Sequence, residues 1–116
     1  MRHYKNKVTL DRKTGPRAAL LANLVEQLVL YEKITTTKAK ARVIRSKAER
    51  LITVAKANTL AARRRLASLL YTKNAVKKMM EVIGPRYADR KGGYTRMTVV
   101  KNRVGDGAEE AVIELV

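Results

Sequence analysis

From Leu20 to Ile83 the apolar residues return every three or four positions, and after Tyr94 they change to short β-branched runs. The first spacing is that of a helix with one buried face, and the second is that of strands. Leu20, Leu21, Leu24, Val25, Leu28 and Tyr31 make a wide stripe, which predicts a helix ending near Tyr31. Its start falls at Thr14-Gly15-Pro16, with Thr14 or Gly15 as N-cap and Pro16 in the first turn. Lys33-Ile34-Thr35-Thr36-Thr37 is short and β-branched, so a short strand is predicted there. Thr36 or Thr37 then caps a second helix that runs to about Ala57. Its inward stripe is Ala41, Ile44, Ala48, Leu51, Ile52 and Ala55. Asn58-Thr59 interrupts the pattern, and a third helix follows to about Leu70, with Ala62, Leu66 and Leu69 or Leu70 inward. Thr72 caps a fourth helix ending at Ile83, whose core side is Val76, Met79, Met80 and Ile83. The unbranched methionines suit gap-filling in a core.

Gly84-Pro85 reads as a helix stop, because glycine accepts the left-handed cap and proline cannot continue the hydrogen-bond ladder. Beyond it, YTRMTVVK at 94–101 and AVIELV at 111–116 have strand composition, separated by a Gly105-Asp106-Gly107 turn. With the strand at 33–37 they give a small sheet of three strands. The expected fold class is α+β, with three to four helices packed on that sheet. A flexible basic arm, 1–15, precedes a globular part, 16–116, and together they form a single domain.

Composition changes this picture in one respect. With 116 residues the chain is long enough to bury roughly two-thirds of its unfolded surface. Five tyrosines are its only aromatic residues, so the core must be aliphatic. No apolar run approaches the roughly 20 residues that a membrane-spanning helix needs, and the opening residues do not read as a signal peptide. An intracellular, cytoplasmic protein is expected.

Charge changes it more. Lys+Arg number 26 against 10 Asp+Glu, a formal net charge of +16, which points to a polyanionic partner. The charge is also unevenly placed. The arm and first turn hold Arg2, Lys5, Lys7, Arg12, Lys13 and Arg17 against Asp11 alone, and His3 lies among them. The last stretch reverses this, with Asp106, Glu109, Glu110 and Glu114 and no cation, and is expected to turn away from the anion. In the second helix Lys38, Lys40, Arg42, Arg45, Lys47 and Arg50 occupy the outward faces with Glu49 the only acid. Helix-stabilising pairs four residues apart are therefore nearly absent. Arg63, Arg64 and Arg65 spread over about 200° of the third helix at about 100° per residue, so at least two must leave the core. Guanidinium forks at such positions suit phosphates.

The densest stretch is GPRYADRKGGYTR at 84–96, where Arg86, Arg90, Lys91 and Arg96 are offset only by Asp89. Gly92-Gly93 allows a tight bend or a close approach to another surface. Such a loop is suited to lie on a polyanion. Tyr87 and Tyr94 are candidates for stacking on bases or sugars, and Tyr94 is equally a candidate for the first core residue of its strand.

Catalytic chemistry has little to work with. The chain has no cysteine and a single histidine, His3, which removes thiolate chemistry, histidine triads and His/Cys metal clusters. No GxxxxGK[ST] or GxGxxG string occurs, and only Glu109, Glu110 and Glu114 lie close together. No enzyme activity, metal, cofactor or small-molecule substrate is expected.

Five stretches carry a resemblance across nearly the whole chain: MRH at 1–3, EKITTTKAKA at 32–41, LITVAKA at 51–57, GPRYADRKGGYTR at 84–96 and IELV at 113–116. In that order they resemble the L17 family of the bacterial large ribosomal subunit. The resemblance implies a structural constituent of the large subunit that takes part in translation. It implies binding to large-subunit ribosomal RNA beside neighbouring ribosomal proteins, near the polypeptide exit tunnel on the solvent side, in a compact α+β fold. The RNA-binding residues expected from charge and resemblance together are Arg2, His3, Lys5, Lys7, Arg12, Lys13, Arg17, Lys38, Lys40, Arg42 and Arg45, then Arg63, Arg64, Arg65, Arg86, Tyr87, Arg90, Lys91, Tyr94 and Arg96. An architectural DNA-binding protein is the main rival, but no recognition helix with base-reading Asn or Gln is evident. A membrane-surface protein would want Trp- or Phe-bearing apolar faces, and the chain has neither residue.

Overall fold

A computed structural model describes His3 and residues 8–116. The observed elements are α1 (Thr14–Tyr31), β1 (Lys33–Thr37), α2 (Lys38–Lys56), α3 (Leu60–Leu69), α4 (Lys73–Lys78), a π-helical turn (Met79–Ile83), α5 (Gly84–Arg86), β2 (Thr95–Asn102) and β3 (Glu109–Leu115). The strands form one antiparallel sheet in the order β1-β3-β2. The fold is α+β, with helices on a three-stranded sheet, as the hydrophobic pattern predicts.

α2 is the element on which the others meet. It packs against α1, α3, the π-helical turn, α5 and all three strands. The cause is its buried stripe, Ala41, Ile44, Ala48, Leu51, Ile52 and Ala55, which matches the stripe read from the sequence residue for residue. Alanine at three of these positions lets neighbouring backbones come close, while Ile44 and Ile52 fill the space between them. The sheet presents Ile113 and Ala111 of the central strand to this core, both fully buried. Truncating a side chain such as Leu66, Met79 or Ile113, each 0% exposed, should cost about 2–5 kcal/mol.

Two helix starts carry a side-chain cap, at Thr72 as expected and at Thr59, where the sequence pattern marked only a break. Thr59 Oγ1 accepts from the Ala62 amide at 3.1 Å, and Thr72 Oγ1 accepts from the Ala75 amide at 3.3 Å. The other two differ. Lys13, not Thr14 or Gly15, is the N-cap of α1, and Thr37 caps α2 through its extended backbone without a side-chain bond. Pro16 is nevertheless well placed, because an amide in the first turn would have no partner inside the helix. Tyr31 leaves the predicted stripe altogether and is 72% exposed.

The helix stop at Gly84-Pro85 is corrected by the structure. Gly84 is right-handed (φ −52°), and the helical path continues through Arg86. The accommodation comes earlier, as the π-helical turn, in which the Gly84 amide reaches back to the Met79 carbonyl. Proline has no amide, and its ring crowds the carbonyl four residues back; widening the preceding turn relieves both problems. Glycine is required for a different reason than a cap. A Cβ at position 84 would lie 3.0 Å from the Ala55 carbonyl oxygen of α2 and 3.1 Å from that of Met79. Gly84 is thus the point of closest approach between this helical stretch and α2.

Candidate nucleic-acid interface

The interface is built on two helices whose cations find few acidic neighbours. A groove between α1 and α2 is lined by Arg17, Arg42, Lys47 and Arg50, with Val8, Leu21, Val43 and Ser46 and no acid. Lys47 and Arg50 also line a second depression, to which α3 adds Arg65 and Leu69 beside Ala22 and Val54. The two depressions are therefore one continuous basic surface across α1, α2 and α3. Arg42, Lys47, Arg50 and Arg65 take part in no ion pair with any described residue. Glu109 lines a neighbouring depression with Arg42 but pairs with Lys38, so the charge of these four cations is left largely for an approaching anion.

Arg63, Arg64 and Arg65 are all exposed, one more than their angular spread requires. Lys40 is half-buried and Arg45 exposed on α2. Arg12 and Lys13 are exposed just before α1, and Arg12 Nη1 donates to the Leu10 carbonyl at 2.9 Å. Arg17, expected among the RNA-binding cations, is mostly buried, 8% exposed, and donates to the Arg12 carbonyl at 3.3 Å. It fixes the chain's entry into α1 and lends its charge to the groove floor. His3 is exposed. Arg2, Lys5 and Lys7 lie outside the described residues.

The 84–96 stretch, by contrast, commits Arg86 and Arg96 to ion pairs and buries both of its tyrosines. Arg86 forms an ion pair with Glu32 at 2.5 Å and stands 6.0 Å over the Tyr87 ring. Arg96 pairs with Glu114 across the sheet at 3.7 Å. Tyr87 and Tyr94 are 3% and 2% exposed, with ring centroids 5.2 Å apart. The stacking role for these two rings is therefore corrected: neither has a face free for a base. Tyr94 is core, and Tyr87 Oη donates to the Val116 carbonyl at 2.6 Å.

The tip of the stretch is clamped by α2. Lys56 Nζ donates to the Arg90 carbonyl and, at 3.0 Å, to Tyr94 Oη, which itself donates to the same carbonyl at 3.1 Å. The Lys56 bond is the main reason that the Tyr94 phenol is held below its ordinary pKa. Gly92 and Gly93, with φ of +154° and +62°, then carry the chain into β2. All four cations of the stretch are exposed, Arg86 and Arg96 paired with a carboxylate and Arg90 and Lys91 in no ion pair with a described residue.

The acids, too, are placed for structure. Glu109 pairs with Lys38 at 3.2 Å, which engages a cation expected to meet the anion. Glu49, the lone acid of α2, accepts from Thr95 Oγ1 at 2.9 Å and joins α2 to β2. Glu32 holds Arg86 and, at 3.8 Å, Lys78, whose ammonium also caps the Leu30 carbonyl at the end of α1. The acidic C-terminal stretch is thus partly neutralised by Lys38 and Arg96.

The sequence places Lys47 and Arg50 on the outward basic faces of the second helix, but they are missing from the expected RNA-binding residues. A signal for them exists: Arg42, Ser46 or Lys47, and Arg50 follow one another at helical spacing and so share a face. Among the described residues there is no cluster of three or more His, Asp or Glu suited to a metal, and no helix is long and apolar enough to cross a membrane.

The structure defines the class of small, strongly basic α+β proteins. Comparison with known proteins specifies which. A profile of the ribosomal protein L17 family matches residues 20–116, and the chain belongs to that family. It is 47% identical to the large ribosomal subunit protein bL17 of Dehalococcoides mccartyi, over 100% of this chain and 99% of the relative. The bL17 proteins of Syntrophotalea carbinolica and Pelobacter propionicus are 45% and 47% identical over the whole of this chain, covering 75% and 91% of their own lengths. These relatives are named as ribosomal proteins, and the family is not an enzymatic one.

Proposed function

We propose that the protein is a structural constituent of the large ribosomal subunit that binds ribosomal RNA through the basic surface of α1, α2 and α3. The observation that carries this reading is the groove lined by Arg17, Arg42, Lys47 and Arg50 without an acid. Such a surface suits the phosphates of a folded RNA, whose deep, narrow major groove leaves backbone and shape as the main features to bind. Arg12, Lys13, Lys40, Arg45, Arg63, Arg64, Arg90 and Lys91 extend the same contact around the helices. Arg2, Lys5 and Lys7 of the basic arm add further positive charge, with His3 among them. Arg86, Tyr87, Tyr94 and Arg96 serve mainly to hold the fold on which the contact is displayed. The family relationship supports a location on the large subunit beside other ribosomal proteins, and the resemblance of the chain implies a position near the exit tunnel.

Sedimentation of the tagged protein from cell lysate, at low and at high salt, tests the reading. Co-migration with the large subunit is the expected result. Migration at the top of the gradient, or with the nucleoid, overturns it. For the isolated protein, affinity for deproteinised large-subunit RNA should fall steeply and linearly with salt on logarithmic axes. A flat dependence is incompatible with phosphate binding.

A further inference from the structure

One aromatic ring stands out on the basic surface, and it is neither of the two in the 84–96 stretch. Tyr71, in the link between α3 and α4, is 63% exposed. It borders the depression of Lys47, Arg50 and Arg65, and it borders a second depression lined by Arg63, Lys73 and Lys77. Neither depression contains an acid. The ring therefore sits at the divide between two cationic hollows.

Its backbone is held with unusual firmness for an exposed link. Glu26 of α1 is 7% exposed and sends its carboxylate across the core. The same oxygen, Oε1, accepts from the Tyr71 amide and, at 2.7 Å, from the Thr72 amide. Two amides satisfy this buried charge in the way that anions are held in backbone concavities. The consequence is that Tyr71 is displayed outward from a fixed main chain, so little ordering is left to be done when a partner binds.

We infer that Tyr71 is a stacking platform for one unpaired nucleobase of the RNA, with the phosphates on either side of that nucleotide lying in the two flanking cationic hollows. A ring between cations matches the repeat of single-stranded nucleic acid, in which each base is flanked by phosphates. The inference rests on the RNA-binding reading above and adds to it a specific residue and an unpaired nucleotide.

The chain contains no tryptophan, so Tyr71→Trp gives a single indole at the site. Titrated with poly(U) at low salt, its emission should be quenched as bases stack on it. Tyr71→Ala should bind poly(U) roughly ten-fold more weakly, while Tyr71→Phe keeps wild-type affinity. Tyr31→Ala, which removes an equally exposed ring bordering neither hollow, should also keep it. Unquenched emission from bound Tyr71→Trp, together with wild-type affinity of Tyr71→Ala, overturns the inference and leaves RNA binding intact. Quenching by polyglutamate but not by poly(U) overturns it in favour of an acidic protein partner. If wild-type protein binds neither poly(U) nor large-subunit RNA, the RNA-binding reading fails and the stacking role with it.

Discussion

The groove of α1 and α2 and the stretch 84–96 hold comparable densities of cations, yet the structure uses them in opposite ways. In the groove, Arg42, Lys47 and Arg50 have no acidic partner among the described residues, and their charge is left for a ligand. In 84–96, Arg86 and Arg96 are paired with Glu32 and Glu114, and both tyrosines are buried. A count of cations therefore measures supply, not availability. Availability depends on whether a carboxylate from a distant part of the chain reaches the same place. The stretch richest in charge is largely a fastening, and the surface that presents charge is spread over three helices.

The contrast can be broken most severely at Tyr94. Tyr94→Ala removes a buried ring and the acceptor for Lys56, and should destabilise the fold by about 3–5 kcal/mol. Chemical denaturation would show it, and RNA affinity of the remaining folded protein should be unchanged. A variant of unaltered stability but weakened RNA affinity would reverse the assignment of this region. The opposite outcome is expected for Arg42→Glu combined with Arg50→Glu. Stability should hold, while the slope of log affinity against log salt falls by about one for each lost phosphate contact.

A smaller effect is expected at Gly84. Gly84→Ala places a methyl 3.0 Å from the Ala55 carbonyl, backbone that cannot easily move, and should cost about 1–3 kcal/mol. A neutral or stabilising outcome in thermal unfolding would show that the helical path has room to shift from α2. The smallest effect concerns Asp106, whose carboxyl is pulled down to about 2 by its bonds from Arg103 and then from the Ala108 amide. Because the folded value is depressed, the turn's contribution is fully present above the ordinary carboxylate range and is lost as pH falls toward 2. An NMR titration of the Asp106 carboxyl with a midpoint near 4 would mean that the Arg103 pair does not form in solution. RNA affinity should be indifferent to Asp106→Asn, since the turn belongs to neither region.

Much of this protein was legible in its sequence. The α2 stripe, the Thr72 cap, the three strands and the outward turn of at least two of Arg63, Arg64 and Arg65 all follow from periodicity and local hydrogen bonding, which act over a few residues. The quoted stretches carry enough specificity for the family, which the comparisons bear out. The misses share one cause. Tyr87 was buried, Arg86 and Arg96 paired, and Gly84 made a contact glycine by partners that lie far away along the chain, Val116, Glu32, Glu114 and Ala55; the choice left open at Tyr94 fell to the core, with Lys56 as its partner. Glu26 likewise fixes Tyr71 from 45 residues away. Local pattern determines where helices and strands form and how much charge the chain carries. Which charges and rings still face outward depends on non-local pairs, and only chain folding brings these within the few ångströms over which hydrogen bonds and ion pairs act.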